Sequence, residues 1–155
     1  MAAAATAEPP SNPAGDEMTT IYKEAVIDAD PDGVWDAVRD VGAVHTRLAP
    51  GFVVNVELEG DVRIVSLGNG RVVREQIVGL DDKARRLAYF ALGRPERRHH
   101  NASMQVFSES GGRSRLVWIA DVLPDEVAAA LEGTMERGLT VVKETLEGGR
   151  VAPVG

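Results

Sequence analysis

Glu75 is the residue whose position points most directly to chemistry. Apolar and polar residues alternate along segment 71–80, so Arg74 and Gln76 share one face of a predicted strand. Glu75 falls on the opposite, apolar face, where a carboxylate is costly unless it is hydrogen-bonded or paired. We interpret Glu75 as a pocket residue that anchors a ligand or transfers a proton. The alternative is a structural ion pair with an arginine such as Arg63.

His99 and His100 look like a metal-binding pair, but their spacing argues against one. Neighbouring residues on a strand point to opposite faces, so the two imidazoles cannot converge on one ion. The alternation places His100 on the apolar side together with Met104. We therefore predict no metal site. His100 either forms an acid/base couple with Glu75 near neutral pH or is a hydrogen-bonded histidine at the pocket rim.

Further candidates supply hydrogen-bond donors and apolar contact to the same pocket. Arg63 shares strand parity with Val65, so it would balance Glu75 or receive a carboxylate or enolate of a ligand, unless it lies on the outer face. Tyr89 and Trp118 offer one hydroxyl and one indole donor. The predicted ligand-binding residues are Arg63, Val73, Glu75, Tyr89, His100, Met104, Trp118, Leu131 and Met135, with Glu75 and His100 as the catalytic candidates.

A run of strands must position these side chains. Period-two patterns predict seven strands, at 19–29, 52–59, 62–67, 71–80, 86–92, 98–108 and 114–123. Glycine-containing turns, among them 60–61, 68–70 and 111–112, separate most neighbours at hairpin spacing. In the second strand, Phe52, Val54, Val56 and Leu58 are predicted to share the apolar face. Two short helical pieces, beginning at Pro31 and near Ala43, follow the first strand.

One long amphipathic helix over 124–147 organises the rest of the chain. Pro124 is predicted at its first position, where the missing N–H has no partner to lose. Apolar residues recur at three- and four-residue steps, from Val127 through Leu131 and Met135 to Leu146. This stripe must be buried against a sheet. Because one helix cannot fill the concave face of a strongly curved sheet, we expect a mostly apolar cavity between them.

Composition narrows the classes of function. The 155 residues suggest one domain, and the net charge of −7 at pH 7 argues against a nucleic-acid surface. The chain has no cysteine, so disulfides and thiolate chemistry do not arise. No secretory signal or run of membrane-spanning length is evident. We expect a cytoplasmic monomer or homodimer without stable membrane insertion.

The predicted ligand-binding domain covers 18–148. Residues 1–17 are rich in proline and small residues and are predicted to be a disordered tail, and 149–155 a flexible C-terminus. The basic run 94–100 lacks the interleaved aromatic residues of a nucleic-acid patch. We interpret it as a solvated loop at the cavity mouth.

The order of elements, together with stretches 27–35, 60–63, 70–75, 80–82 and 118–124, resembles the helix-grip (SRPBCC) superfamily. This superfamily holds the START lipid-transfer domains, the birch-pollen allergen relatives and the bacterial polyketide cyclase/dehydrase-like proteins. The resemblance implies an α+β helix-grip fold and a glutamate lining the pocket at position 75. Segment 63–101 is also similar to the plant abscisic-acid receptors. However, turn 67–70 lacks their proline-bearing gate and loop 93–98 differs from their latch, which disfavours a hormone receptor.

Three functions are compatible with this resemblance, because the superfamily carries several on one scaffold. The first is a carrier that binds a small hydrophobic or aromatic molecule. The second is a cyclase or dehydratase in which Glu75 and His100 transfer protons, which requires no cofactor. The third is a protein-interaction module whose cavity is filled by side chains.

Overall fold

A computed structural model of the chain describes residues 18–93 and 98–148. In this part of the chain there are seven strands and two α-helices: β1 (Thr19–Ile27), α1 (Pro31–Arg39), β2 (Val53–Glu59), β3 (Val62–Leu67), β4 (Val72–Asp81), β5 (Arg86–Leu92), β6 (His99–Ser108), β7 (Ser114–Leu123) and α2 (Ala128–Gly148). A π-helical turn spans Val44–Leu48, and a 3-10 turn at Asp125–Val127 precedes α2. The predicted α+β helix-grip class is confirmed.

All seven strands form one antiparallel curved sheet in the order β1-β7-β6-β5-β4-β3-β2. Consecutive strands from β2 to β7 pair as neighbours, whereas β1 pairs with β7, with Thr19 opposite Val122 and Ile27 opposite Ser114. Helix α2 lies against the sheet. Lys23 on β1 reaches Glu132 of α2 at 3.0 Å, and the Lys143 ammonium of α2 donates to the Val26 carbonyl at 2.6 Å.

The core lies between the sheet, α1 and the inner side of α2. Asp30 caps α1 by accepting from the Gly33 amide at 3.1 Å, and Pro31 occupies the first turn. This fixes Val34 and Val38 of α1 in the core, where neither is exposed. The other large and fully buried apolar side chains are those of Ile27, Leu87, Leu116, Val106, Val122, Met135 and Val142.

The prediction for the apolar face of the second strand is wrong in part. A register shift between Val53 and Asn55 marks a β-bulge in β2, and an extra residue inverts the side to which neighbouring side chains point. Val53 is therefore buried at 3% exposure, whereas Val54 is 54% exposed. Val56 packs against the core as predicted. Leu58 lies at the sheet edge and is 54% exposed.

Helix α2 begins later than predicted. Pro124 has extended backbone (φ −79°, ψ 168°) and precedes the 3-10 turn, so it is not the first α-helical residue. None of the helices in the described part of the chain is long and apolar enough to cross a membrane. The predicted tail 1–17, the core of the basic loop at 94–97 and the C-terminal segment 149–155 lie outside the described residues.

The turn between β4 and β5 is tied to α1 through Asp82. Its Oδ1 accepts from Arg39 Nε at 2.7 Å and from Trp35 Nε1 at 2.9 Å. These hydrogen bonds lower the pKa of Asp82, and the one from Arg39 has the larger effect. A carboxyl with a lowered pKa stabilises the fold above its unfolded pKa of about 3.9 and loses this contribution as the pH falls.

We therefore expect Asp82→Asn to lower the melting temperature near pH 7 and to matter progressively less below about pH 4. Melting curves of both proteins between neutral and acidic pH measure this convergence. Asp81→Asn is the neighbouring control, because among residues 18–93 and 98–148 the Asp81 side chain accepts only from the amides of Lys83 and Ala84 in its own turn. A difference between wild type and Asp82→Asn that stays constant down to acidic pH would contradict the assignment.

Candidate functional site

Two adjacent cavities lie between the sheet and α2. The inner chamber has a volume of about 80 Å³ and reaches toward the π-helical turn, with Val44 and Leu48 in its wall. The outer chamber measures about 330 Å³ and extends to the first turns of α2. Both chambers are lined by Phe52, Val65, Leu67, Glu75, Tyr89 and Trp118. These shared residues mark the junction between the chambers.

An ion pair between Arg63 and Glu75 is the charged centre of this junction. The two residues lie directly opposite each other on β3 and β4, so their side chains leave the sheet on the same face. Arg63 Nε donates to Glu75 Oε1 at 2.8 Å, and the two side chains are only 6% and 14% exposed. Both therefore point inward. Glu75 thus lines the pocket and also forms the ion pair with Arg63, although the sequence left these two roles as alternatives.

The Arg63 guanidinium also stacks over an aromatic ring. Its Cζ lies 5.0 Å from the centre of the Tyr89 ring, within cation–π range. A longer contact of 3.5 Å joins Nη1 to the Val41 carbonyl oxygen. Within residues 18–93 and 98–148, no hydrogen bond reaches Arg63 Nη2 or Glu75 Oε2. One donor group and one acceptor atom of the pair are thus left for a ligand.

Tyr89 and Trp118 add an oriented hydroxyl. The Trp118 indole N–H donates to the Tyr89 oxygen at 3.0 Å, although β6 separates their two strands. Burial is the main cause that raises the pKa of Tyr89, and the nearby charge of Glu75 adds to it. The phenol therefore stays protonated at neutral pH. Since the oxygen already accepts from Trp118, the Tyr89 O–H is oriented to donate. Its proton has no acceptor among the described residues.

Helix α2 closes the site at Gly138, where the rings of Phe52 and Trp118 lie close to the helix backbone. A side chain at Gly138 would place its Cβ 2.9 Å from Phe52 Cε2 and 3.4 Å from Trp118 Cζ3. Such a contact with Phe52 is too short to be accommodated without movement. Gly138 therefore allows both rings to pack against the helix backbone. Leu131 lies two turns earlier and Met135 one turn earlier, and both line the outer chamber.

The histidines behave as the alternation predicts. His99 is exposed, with Nε2 2.7 Å from Asn101 Oδ1, whereas His100 is 7% exposed and lines the outer chamber. The two rings therefore lie on opposite faces of β6. No hydrogen bond of the described structure links His100 to Glu75, although both line the outer chamber.

The mouth of the outer chamber is formed by exposed polar residues. Asn69 and Arg71 come from the turn between β3 and β4, and Glu126 from the 3-10 turn before α2. The first of these turns is held in place because the Gly68 amide donates to the Phe52 carbonyl at 2.9 Å. The predicted solvated loop at the cavity mouth falls mainly on residues 94–97, outside the described part.

All nine residues predicted to bind ligand line one or both chambers. Glu75, Tyr89 and Trp118 line both, Arg63 and Met104 the inner one, and Val73, His100, Leu131 and Met135 the outer one. Their roles in binding and catalysis remain predictions. Phe52 and Gly138 are not among the residues predicted to line the pocket, although both do so. An isolated glycine inside the apolar pattern of a long helix was the available signal, because such a glycine commonly has a packing reason.

Comparison with known families and structures agrees with this architecture. A family model described as polyketide cyclase / dehydrase and lipid transport matches residues 18–147. No curated protein matches the sequence.

Several solved structures share the fold. An uncharacterised protein from Bacillus thuringiensis aligns with a TM-score of 0.75 and 18% identity, over 83% of this chain and 98% of that one. The Zhui aromatase/cyclase from Streptomyces sp. R1128 aligns with a TM-score of 0.66 and 21% identity, over 89% of this chain and 100% of that one. Norcoclaurine synthase from Thalictrum flavum, in complex with dopamine and hydroxybenzaldehyde, aligns with a TM-score of 0.68 and 14% identity, over 91% of each chain.

Proposed function

Because the chain belongs to the family of polyketide cyclases, dehydrases and lipid-transport proteins, we propose that it binds a small aromatic molecule bearing a hydroxyl or carbonyl oxygen. The observation that carries the proposal is the polar group inside an otherwise apolar cavity. Arg63 and Glu75, with Tyr89 and Trp118, meet where the two chambers adjoin. A few oriented polar atoms in an apolar wall are typical of a small-molecule site.

The cavity suits a flat ring. Phe52 and Trp118 supply aromatic rings beside Gly138, and Leu131 and Met135 supply aliphatic contact along α2. A ring placed between them brings an oxygen substituent within reach of the Tyr89 hydroxyl. The same fold in norcoclaurine synthase, solved with dopamine and hydroxybenzaldehyde, supports an aromatic ligand class.

Calorimetric titration with 2-naphthol tests the proposal. We expect saturable binding to the wild-type protein, and a loss of affinity of roughly tenfold or more in Leu131→Trp, because the added ring occupies the outer chamber. Ala129→Trp, exposed on the same helix and outside both chambers, should bind 2-naphthol as the wild type does. Absence of any binding to the folded wild-type protein would refute the proposal.

Proton transfer within the same cavity is the second candidate function, as in a cyclase or dehydratase. The observation that favours it is that Glu75 Oε2 and the Tyr89 O–H are both uncommitted at the junction of the chambers. Glu75 could remove a proton from a carbon beside a ketone. Tyr89 would stabilise the negative charge on the resulting enolate oxygen by donating a hydrogen bond. His100 lines the outer chamber, where its protonated form could give a second proton to the enolate carbon, while the proton taken by Glu75 passes to solvent.

Deuterium exchange separates a catalyst from a carrier. In D₂O, a catalyst should accelerate exchange of the methyl protons of 2-acetylnaphthalene, followed by NMR. Glu75→Gln should then lose about 10²–10⁴-fold of that rate while keeping its affinity for the ketone. Glu126→Gln, at the exposed rim of the same chamber, is the charge-matched control. Binding without any acceleration by the wild-type protein would leave the carrier as the function.

A further inference from the structure

We infer that the cavity selects ligands whose buried end carries no net charge, and that Glu75 enforces this selection by neutralising Arg63. The inference rests on the proposed function, since it concerns which molecules the binding cavity accepts. It assigns Glu75 a role in specificity that does not depend on catalysis. Of the two ligand groups that the sequence predicts for Arg63, a carboxylate and an enolate, the inference excludes the carboxylate.

The inner chamber has no net charge. Among its lining residues, Arg63 and Glu75 are the charged ones, and Tyr89 is held neutral by burial. The remaining wall is apolar and includes Val44, Leu48, Ala49, Val53, Val65, Leu87, Met104 and Val142. The two charges cancel across a 2.8 Å ion pair. A ligand entering this chamber therefore meets no net positive charge.

A carboxylate would be poorly accommodated at this depth. Transfer of an ionised group from water to an apolar site is costly unless an unpaired opposite charge compensates it. Arg63 cannot fully supply that compensation, because its Nε is already hydrogen-bonded to Glu75. The ligand anion would also lie near the Glu75 carboxylate, which repels it.

A neutral oxygen fits the groups that remain. The Tyr89 O–H and Arg63 Nη2 are donors without acceptors in the described structure, and Glu75 Oε2 is an acceptor without a donor there. A ketone oxygen can accept from Tyr89 or Arg63. A phenol can in addition donate its proton to Glu75. A neutral phenol can therefore use all three atoms.

The outer rim differs from this deep site. Arg71 and Glu126 are both exposed to solvent at the mouth of the outer chamber. A charged substituent on the opposite end of the ligand would remain hydrated at this rim. The charge restriction therefore applies to the end of the ligand that reaches Arg63 and Glu75.

Three naphthalene derivatives test the inference at about pH 7. 2-Naphthoate carries a charge, 2-naphthamide matches its shape without the charge, and 2-naphthol is the neutral phenol. In calorimetric titrations of the wild-type protein, we expect 2-naphthol and 2-naphthamide to bind roughly tenfold or more tightly than 2-naphthoate. Equal affinities for the amide and the carboxylate would overturn the inference and leave the binding function intact. If none of the three binds, the proposed function itself fails.

Glu75→Gln tests the assigned cause. The substitution is nearly isosteric and leaves Arg63 as an uncompensated cation, so the preference for 2-naphthamide over 2-naphthoate should fall by roughly tenfold or reverse. Glu144→Gln removes the same charge on the exposed side of α2, outside both chambers, and should keep the wild-type preference. The double variant Arg63→Gln/Glu75→Gln restores an uncharged junction and should prefer the amide again. An unchanged preference in folded Glu75→Gln would refute the role of Glu75.

Discussion

Replacing Arg63 by methionine is expected to lower the free energy of unfolding by about 3 kcal/mol, because it leaves the carboxylate of Glu75 without its partner. The Glu75 side chain is only 14% exposed and Arg63 6%, so water cannot fully replace the lost hydrogen bond. The substitution also removes the guanidinium that stacks over the Tyr89 ring at 5.0 Å. Urea denaturation of both proteins measures the difference.

A neighbouring ion pair provides the matched control. Arg74 lies on β4 next to Glu75 in sequence but pairs with Glu59 on the outer face, at 3.1 Å and with both side chains about half exposed. Exposed pairs contribute about 0–1 kcal/mol, so Arg74→Met should have a small effect. The double variant Arg63→Met/Glu75→Leu should recover most of the lost stability, because no buried charge remains unpaired. An Arg63→Met protein as stable as Arg74→Met would contradict the structural role of the pair.

Gly138→Ala is expected to destabilise the protein by about 1–3 kcal/mol, whereas Gly133→Ala on the same helix should stabilise it by up to about 1 kcal/mol. Alanine favours a helix over glycine at both positions. At Gly133 the new Cβ would lie 3.4 Å from Arg137 Nη1, the end of a mobile side chain. At Gly138 it would lie 2.9 Å from the Phe52 ring and 3.4 Å from Trp118 Cζ3, so the new methyl group would meet two bulky rings.

The second consequence of Gly138→Ala concerns the cavity. Because Phe52 lines both chambers, any movement that relieves the contact changes the junction between them. We expect a lower affinity for 2-naphthol in Gly138→Ala and an unchanged one in Gly133→Ala. Thermal melts give the stability difference and calorimetry the affinity. Equal stabilisation by the two alanines would show that Phe52 is free to move away at no cost.

The elements of the fold were predictable because each strand and helix carries its own period. Alternation located all seven strands, and the apolar stripe located α2, since both patterns follow from the geometry of one element. The errors arose where a partner element decides the outcome. The β-bulge near Val53 depends on how β2 pairs with β3, and it exchanged the buried and exposed positions at Val53 and Val54.

The residues of the candidate site also differ in whether one segment or the packing of several segments decides their position. Local alternation was enough to place Glu75 and His100 on the inner face, where the structure has them. It left Arg63 undecided, because β3 has apolar residues on both faces, and its pairing opposite Glu75 settled the direction. The hydrogen bond from Trp118 to Tyr89 joins strands that are not neighbours. The approach of Phe52 to Gly138 likewise depends on how α2 sits against the sheet, which no single segment encodes.

The pairing of the first strand with the last one has a consequence for how the chain reaches this structure. Strands β2 to β7 can add to each other as successive hairpins, but Thr19 must wait for Val122, which is synthesised far later. Such long-range contacts raise the contact order and slow folding, since a large loop must close before they form. Helix α2 follows β7 in the chain, so the concave face remains uncovered until α2 has been synthesised. The nascent chain therefore exposes the walls of the future cavity as an apolar surface, and during that interval it is most prone to aggregation.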